Sequence, residues 1–297
     1  MNRDFAWIAI AYLAALIAAC ITYLFSADLF SGSSLTHIHL WQMLVADVVA
    51  TLVIFAFSCG FANSSFYDAY WSVAPPLIVL GWMMVFDQYD MRTLLVLLLV
   101  LLWAIRLTHN WARGWQGLSH VDWRYVNLKN STGIFYPVVN LLGIQMLPTI
   151  LVFLGCIPLY FAISSNASVL SLVDLSWLGV GFGALWLEYR ADNVLRAFRQ
   201  DPQNQGQVLV KDVWSWCRHP NYLGELGFWL ALAVYGFITT SNLWSWLGFV
   251  CMVILFVGIS IPMIDKRQLE NKPDYATYKK TLPALLPLGL FRSQAAD

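Results

Sequence analysis

The sequence predicts an all-α protein, a polytopic membrane bundle of about eight transmembrane helices, with seven as the alternative count and both termini cytoplasmic. Three observations predict it. Of 297 residues, 59% are hydrophobic and 11% charged, against roughly 45–50% and about 25% in ordinary soluble domains. The apolar residues gather in runs near the length of about 20 that crosses hydrocarbon. The basic residues fall almost entirely on one side of the map that these runs define. With a mean hydropathy of +0.63 and 15 Trp, a soluble enzyme, a disordered chain and a nucleic-acid binder with a basic face are all poor fits.

The runs lie at 5–25, 41–61, 71–88, 91–110, 136–163, 173–196, 222–240 and 243–264. The first resembles a signal peptide in position but has the length of a full span. No small-residue cleavage site precedes Asp28, so the run is expected to stay in the mature protein. The third and fourth runs join through Asp87-Gln-Tyr-Asp90 and the last two through Thr239-Thr-Ser-Asn242, so each pair should form a helical hairpin. With the N-terminus inside, sixteen of the seventeen bases fall on the inner side and only Arg92 falls outside. The long polar loops, 111–135 and 200–220, are also inside. An integral membrane protein with its ligand site on the cytoplasmic side is expected, in the inner membrane if the chain is bacterial. The five cysteines, at 20, 59, 156, 217 and 251, form no CxxC pair and read as small core hydrophobes.

Four constellations could carry chemistry. On the sixth run Glu188, Asp192 and Arg199, at i, i+4 and i+11, share one helix face, a socket for a ligand with hydroxyls and phosphates. A helix emerging into water is the plainer reading. The second is Cys217-Arg218-His219-Pro220-Asn221-Tyr222-Leu223-Gly224-Glu225. Pro220 pre-sets a helix start whose free N–H groups favour an anion, and Arg218 and His219 add donors. Asn221 and Glu225 share a face, and a simple helix cap with a belt aromatic explains Pro220 and Tyr222 but not Glu225. The third is the loop Asn63 to Pro76, which sets Asp68 and Tyr70 at the membrane edge, as a proton donor to a lipid carbonyl or as ordinary belt polarity. The fourth places Arg106, Asn110 and Arg113 on one face at the end of the fourth run.

Asp47 in the second run is either a relay or a buried carboxyl bonded to a neighbouring helix. Gly179, Gly181 and Gly183 lie inside an apolar run with no preceding strand, which favours helix packing over a dinucleotide fingerprint. The scattered histidines suggest no metal site.

The run Glu188–Arg199, the block Arg218–Glu225, and Tyr275-Ala-Thr-Tyr278 followed by Leu285-Leu-Pro287 resemble, in order and spacing, the steroid 5-alpha-reductase superfamily. The resemblance is to its prokaryotic branch, described as a domain of unknown function. It covers 63–290, leaving 1–62 as a two-helix membrane segment and 291–297 as a tail. Arg-His-Pro-x-Tyr-x-Gly is also shared with isoprenylcysteine carboxyl and phospholipid methyltransferases, which use it for S-adenosylmethionine.

The resemblance implies NADPH as cofactor and a membrane lipid as substrate. It places Arg106, Arg113, Asp192, Arg199, Asn221, Glu225 and Arg267 on cofactor-contacting positions. Glu188, Arg218, His219 and Tyr222 complete the candidate cofactor set. Asp68 falls where the steroid enzymes have an acid that polarises the substrate carbonyl. Trp103 stands where the family has its catalytic tyrosine, with Tyr70 as the substitute donor, and Glu188 stands where it has an asparagine. The implied activity is reduction of an activated C=C bond in a steroid-like, isoprenoid or fatty-acyl enone. An S-adenosylmethionine-dependent methyltransferase is the alternative, and the extra arginines favour the reductase. A lipid-binding or transport protein fits less well, since polar groups gather on one side and no internal repeat is visible.

Overall fold

A computed structural model describes residues 2–30, 37–165 and 169–287, so the predicted tail 291–297 and Arg292 lie outside the described residues. Regular structure among the described residues is entirely helical. Seven helical stretches are long and apolar enough to cross a membrane: Arg3–Ala27, Ile38–Gly60, Ser64–Phe86, Met91–Gly114, Trp123–Ser164, Pro220–Thr240 and Leu243–Asn271. The predicted sixth run does form a long helix, Asp174–Gln200, but Asp174, Glu188, Arg190 and Asp192 break its apolar character. Among the described residues the count is therefore seven, the lower of the two expected.

The chain divides into two compact units, Met1–Ser168 and Val169–Asp297. The division falls inside the 63–290 region that the sequence sets apart.

The first unit holds α1 (Asn2–Phe30), α2 (Ile38–Gly60), α3 (Tyr70–Phe86), α4 (Met91–Gly114), α5 (Trp123–Thr132), α6 (Tyr136–Val139) and α7 (Leu147–Ser164). A π-helical stretch, Asn140–Met146, joins α6 to α7. The α3–α4 hairpin forms as predicted. Asp87 closes α3 in the left-handed conformation, and Asp90 caps α4 by accepting from the Arg92 and Thr93 amides at 2.9 and 3.1 Å. Its core is aromatic: the Trp82 ring packs edge-on against Phe153 and Tyr160. Asn63 secures the loop that follows α4. Its side-chain amide donates to the Leu118 and His120 carbonyls at 2.8 and 3.0 Å, and its Oδ1 accepts from the Ser65 amide.

The second unit holds α8 (Asp174–Gln200), α9 (Pro220–Thr240), α10 (Leu247–Leu255), α11 (Ile261–Asn271) and α12 (Tyr275–Thr281), with a π-helical stretch, Phe256–Ser260, between α10 and α11. Helix α9 begins at Pro220, where the fixed φ and missing N–H of proline suit the first helical position. Trp177 on α8 meets Tyr235 on α9 edge-on at 4.9 Å. The irregular segment before α9 seals onto α8 through Leu209, Val213 and Trp214, and the Trp214 indole donates to the Ala191 carbonyl at 3.1 Å.

Large apolar side chains line the outer faces of these helices: Leu13, Ile17, Ile21 and Leu24 on α1, and Leu94, Leu98, Leu102 and Ile105 on α4 are exposed. In water such faces would be an aggregation liability. In a bilayer they are the solvent-matched surface. The same physics corrects the reading of the cysteines. Cys156 and Cys217 are buried, but Cys20 and Cys59 are exposed on α1 and α2, because an apolar environment is available outside the protein as well as within it.

Candidate functional site

Each unit gathers polar groups where its sequence is otherwise apolar. In the first, the turn Ser64–Phe66 delivers Asp68 and Tyr70 to the start of α3. Asp68 is half-buried and accepts a short hydrogen bond from the Tyr125 hydroxyl on α5. Tyr70 is buried and points elsewhere: its hydroxyl donates to Asp47 Oδ1 on α2 at 3.0 Å. The two predicted catalytic residues therefore belong to two separate acid–tyrosine pairs. Tyr67 lies against Tyr70, ring centroids 5.6 Å apart, and its hydroxyl is 2.8 Å from Thr149 Oγ1, which is 2.9 Å from Thr51 Oγ1. Farther along, Gln145 in the π-helical stretch donates to Ser58 Oγ and Asn140 Oδ1 at 3.0 and 3.2 Å. Such a wide turn re-aims side chains that a continuous α-helix would point away.

Trp103 is wholly buried and packs edge-on against Trp71 at 5.7 Å. An indole at this position serves the core. Arg106, Asn110 and Arg113 all lie on α4, Arg106 half-buried and Arg113 exposed, with the Arg113 guanidinium 3.5 Å from His109 Nε2.

In the second unit the predicted stripe on α8 runs from interior to surface: Glu188 is 0% exposed, Asp192 half-buried and Arg199 exposed. Helix α9 crosses α8 at very close range. A Cβ added to Gly224 would fall 2.4 Å from Glu188 Cγ and 2.9 Å from the Ala184 carbonyl, and one added to Gly227 would fall 2.9 Å from Ala184 Cβ. Small residues at a helix crossing in lipid allow this approach. It places Glu188 against Gly224, within the Asn221–Glu225 stretch. Glu225 is 5% exposed, and its Oε1 accepts from the Trp229 indole at 3.0 Å. Asn221 is half-buried, and its Oδ1 is shielded with no hydrogen-bond partner among the described residues.

Arg218 and His219 turn inward rather than toward the start of α9. The Arg218 guanidinium donates to Asp265 Oδ2 at 3.0 Å and to the Lys279 and Leu282 carbonyls at 3.2 and 2.5 Å. His219 Nε2 is 2.9 Å from Asp265 Oδ1, and its ring stacks on Tyr222 at 5.5 Å. The Tyr275 hydroxyl also donates to Asp265 Oδ1 at 2.5 Å, and Lys279 Nζ approaches Oδ2 to 3.3 Å. The Arg218 and His219 amides donate to the Pro283 and Ala284 carbonyls, both at 3.0 Å. One buried carboxylate thus ties the Arg-His-Pro block to α12 and to the segment after it. Burial, then the nearby Asp265, drives the Tyr275 phenol upward from its ordinary value.

A basic cluster completes this unit. Arg199 at the end of α8 has its guanidinium pulled below the usual value, first by desolvation and then by Arg267, against the opposing pull of Asp192. The Lys272 ammonium just past α11 is lowered by burial and by Arg199. Arg199 thus lies within electrostatic reach of both Arg267 and Lys272, a grouping of like charge that an anion would relieve.

Of the residues singled out from the sequence, the structure brings together Asp192, Arg199 and Arg267, sets Glu188 against Gly224 of α9, and binds Arg218 to His219 through a shared acid. It adds Asp265, Lys272, Tyr125 and Thr149. None of the four carries a local signal: Asp265 stands one residue past the last apolar run, in the charged stretch Asp265-Lys-Arg, where an acid is ordinary. Among the described residues no group of three or more His, Cys, Asp or Glu is placed to hold a metal.

Residues 54–282 match the family model described as "Protein of unknown function (DUF1295)". The chain belongs to the DUF1295 family. The match takes in the Asp68 turn, all of α8 and α9, and Asp265 with its partners as far as Leu282, but not Asp47. An uncharacterized protein of Schizosaccharomyces pombe is 24% identical over 272 residues, covering 82% of this chain and 78% of its own. No solved structure matches.

Proposed function

We propose that this DUF1295 protein is an integral membrane reductase that uses NADPH to saturate an activated C=C bond in a lipid such as a steroid-like, isoprenoid or fatty-acyl enone. The observation that carries the reading is the cluster of Arg199, Arg267 and Lys272. Bases gathered around Arg199 suit a ligand with several phosphates, and Arg guanidinium groups hold phosphate bidentately. The resemblance to the steroid 5-alpha-reductase superfamily supports it, and gives Arg106 and Arg113 on α4 the same task.

When bound, the cofactor supplies a hydride for the electron-poor carbon of the enone. The remaining work falls to the chain. Arg199, Arg267 and Lys272 hold phosphate, while Asn221 Oδ1, Glu225 and Glu188 stand along α8 and α9 to accept from amide and hydroxyl groups. To Asp68 and Tyr70, near the start of α3, the reading assigns the hydrogen bond to an enone oxygen and the proton for the neighbouring carbon. The bilayer-facing exterior admits a lipid substrate, and an apolar surround strengthens each of these hydrogen bonds.

A methyltransferase using S-adenosylmethionine is the competing reading, favoured by the two deeply buried acids Glu188 and Glu225, which would suit a ligand ammonium. Titrating both ligands into the purified protein in mild detergent decides between them. Binding of NADPH, weakened in Glu225→Ala, is expected; binding of S-adenosylmethionine without NADPH would overturn the reductase.

A further inference from the structure

Asp47 stands nine residues past Ile38, roughly 14 Å along α2 at about 1.5 Å per residue. It is 5% exposed. Among the described residues its one hydrogen-bond partner is the Tyr70 hydroxyl, it makes no ion pair, and Oδ2 is buried without a partner. The titratable groups facing it are Tyr70 and Tyr67 at the start of α3 and Cys156 on α7; none is a base. Thr51 lies one turn along α2, bonded to Thr149, and the Tyr12 ring on α1 is 5.9 Å from that of Tyr70. A carboxylate inside a membrane helix with no cation beside it has lost its hydration for a single hydrogen bond, whereas the neutral acid loses far less.

We propose that Asp47 carries a proton and hands it to Tyr70, making the pair the proton donor of the reduction. The proposal rests on the reductase reading above. The 3.0 Å contact can run in either direction, because hydrogen positions follow protonation. With the carboxyl neutral, Oδ1–H donates to the phenol oxygen and the phenol O–H is free to point at substrate. After hydride addition to the β-carbon of an enone, the electron pair left on the enolate takes the Tyr70 proton at the α-carbon. The Tyr70 O–H bond breaks as the Asp47 O–H proton moves to the phenol oxygen, and Asp47 regains a proton from water. Asp47 is thus a positioning and reloading residue, with Tyr70 the group that meets substrate.

Infrared spectra of the full-length protein in detergent, in H2O and D2O, test this on wild type, Asp47→Asn and Tyr70→Phe, with NADPH titrated into each. Wild type is expected to show a carboxylic-acid C=O band that shifts on deuteration, disappears in Asp47→Asn and moves in Tyr70→Phe, with NADPH binding kept in all three. A wild type without any carboxylic-acid C=O band that Asp47→Asn removes would mean an ionised Asp47 and overturn the proposal. A band indifferent to Tyr70→Phe would overturn the hand-over. If the band behaves as expected but wild type fails to bind NADPH, the reductase reading falls and the donor role with it.

Discussion

Gly224 of α9 lies directly against Glu188 of α8, so close that a methyl group on Gly224 would sit 2.4 Å from Glu188 Cγ and 2.9 Å from the Ala184 carbonyl. The Ala184 carbonyl is helix backbone and cannot move aside as a flexible side-chain tip would. Gly224→Ala must therefore push the two helices apart or bend them. Overpacking of this kind costs about 1–3 kcal/mol, and a lowered thermal midpoint in detergent measures it. Gly206→Ala, where no atom lies within 4 Å but φ is +78°, separates backbone strain from collision.

Asp265 binds Arg218, His219, Tyr275 and Lys279 at once. Asp265→Ala leaves the Arg218 guanidinium buried beside an emptied pocket. Loss of one partner from a buried charge pair costs about 3–5 kcal/mol, and α12 with the chain beyond it should lose its anchorage first. Limited proteolysis is expected to cut between α11 and residue 287 in Asp265→Ala and not in wild type. Asp265→Asn, which keeps the shape, should fall between.

Acid sensitivity has an identifiable contributor outside the membrane-spanning helices. The Asp212 carboxyl is held below its ordinary value, first by hydrogen bonds from Arg190, against the opposing effect of desolvation. A depressed carboxyl contributes stability above its unfolded pKa near 4 and loses it as pH falls toward its folded value. The pair is exposed, so its effect is small and shrinks with salt. Arg190→Ala should slightly flatten the acid limb of a stability-against-pH curve at low salt, and leave it unchanged at 1 M salt.

Cys217 precedes the Arg-His-Pro block, is 0% exposed, and its thiol is pushed up to about 11, chiefly by burial. The reactive thiolate is scarce at neutral pH. Maleimide labelling followed by peptide mapping should leave Cys217 unmodified in the folded protein at pH 7, and modify it once the protein is unfolded.

The sequence exposes the features that depend on nearest neighbours along the chain. The α3–α4 hairpin follows from Asp87–Asp90, the start of α9 from Pro220, and the α8 stripe from the spacing of Glu188, Asp192 and Arg199, all of them helical periodicity or capping. What escapes it depends on chain-distant pairing. Asp265 meets His219 across 46 residues, Tyr125 meets Asp68 across 57, and Tyr67 meets Thr149 across 82. Arg218 and His219 read from sequence as donors at a helix start, because a free Arg and a clasped one look alike until Asp265 is placed beside them. The π-helical stretches also escape, since Asn140–Met146 and Phe256–Ser260 have the same apolar composition as the α-helices they join. The helix count falls to seven for a related reason: α8 has the length of a span but carries its charges within it.

The central claim is that the cations at the ends of α8 and α11 hold the phosphates of NADPH. Calorimetric titration of NADPH into wild type, Arg199→Gln and Lys272→Gln, in the same detergent and at fixed salt, tests it most directly. A hydrogen bond to a charged group contributes about 1.5–3 kcal/mol, so each substitution should weaken binding roughly tenfold or more. NADPH affinity unchanged in both variants, or a wild-type protein that binds only S-adenosylmethionine, would contradict it.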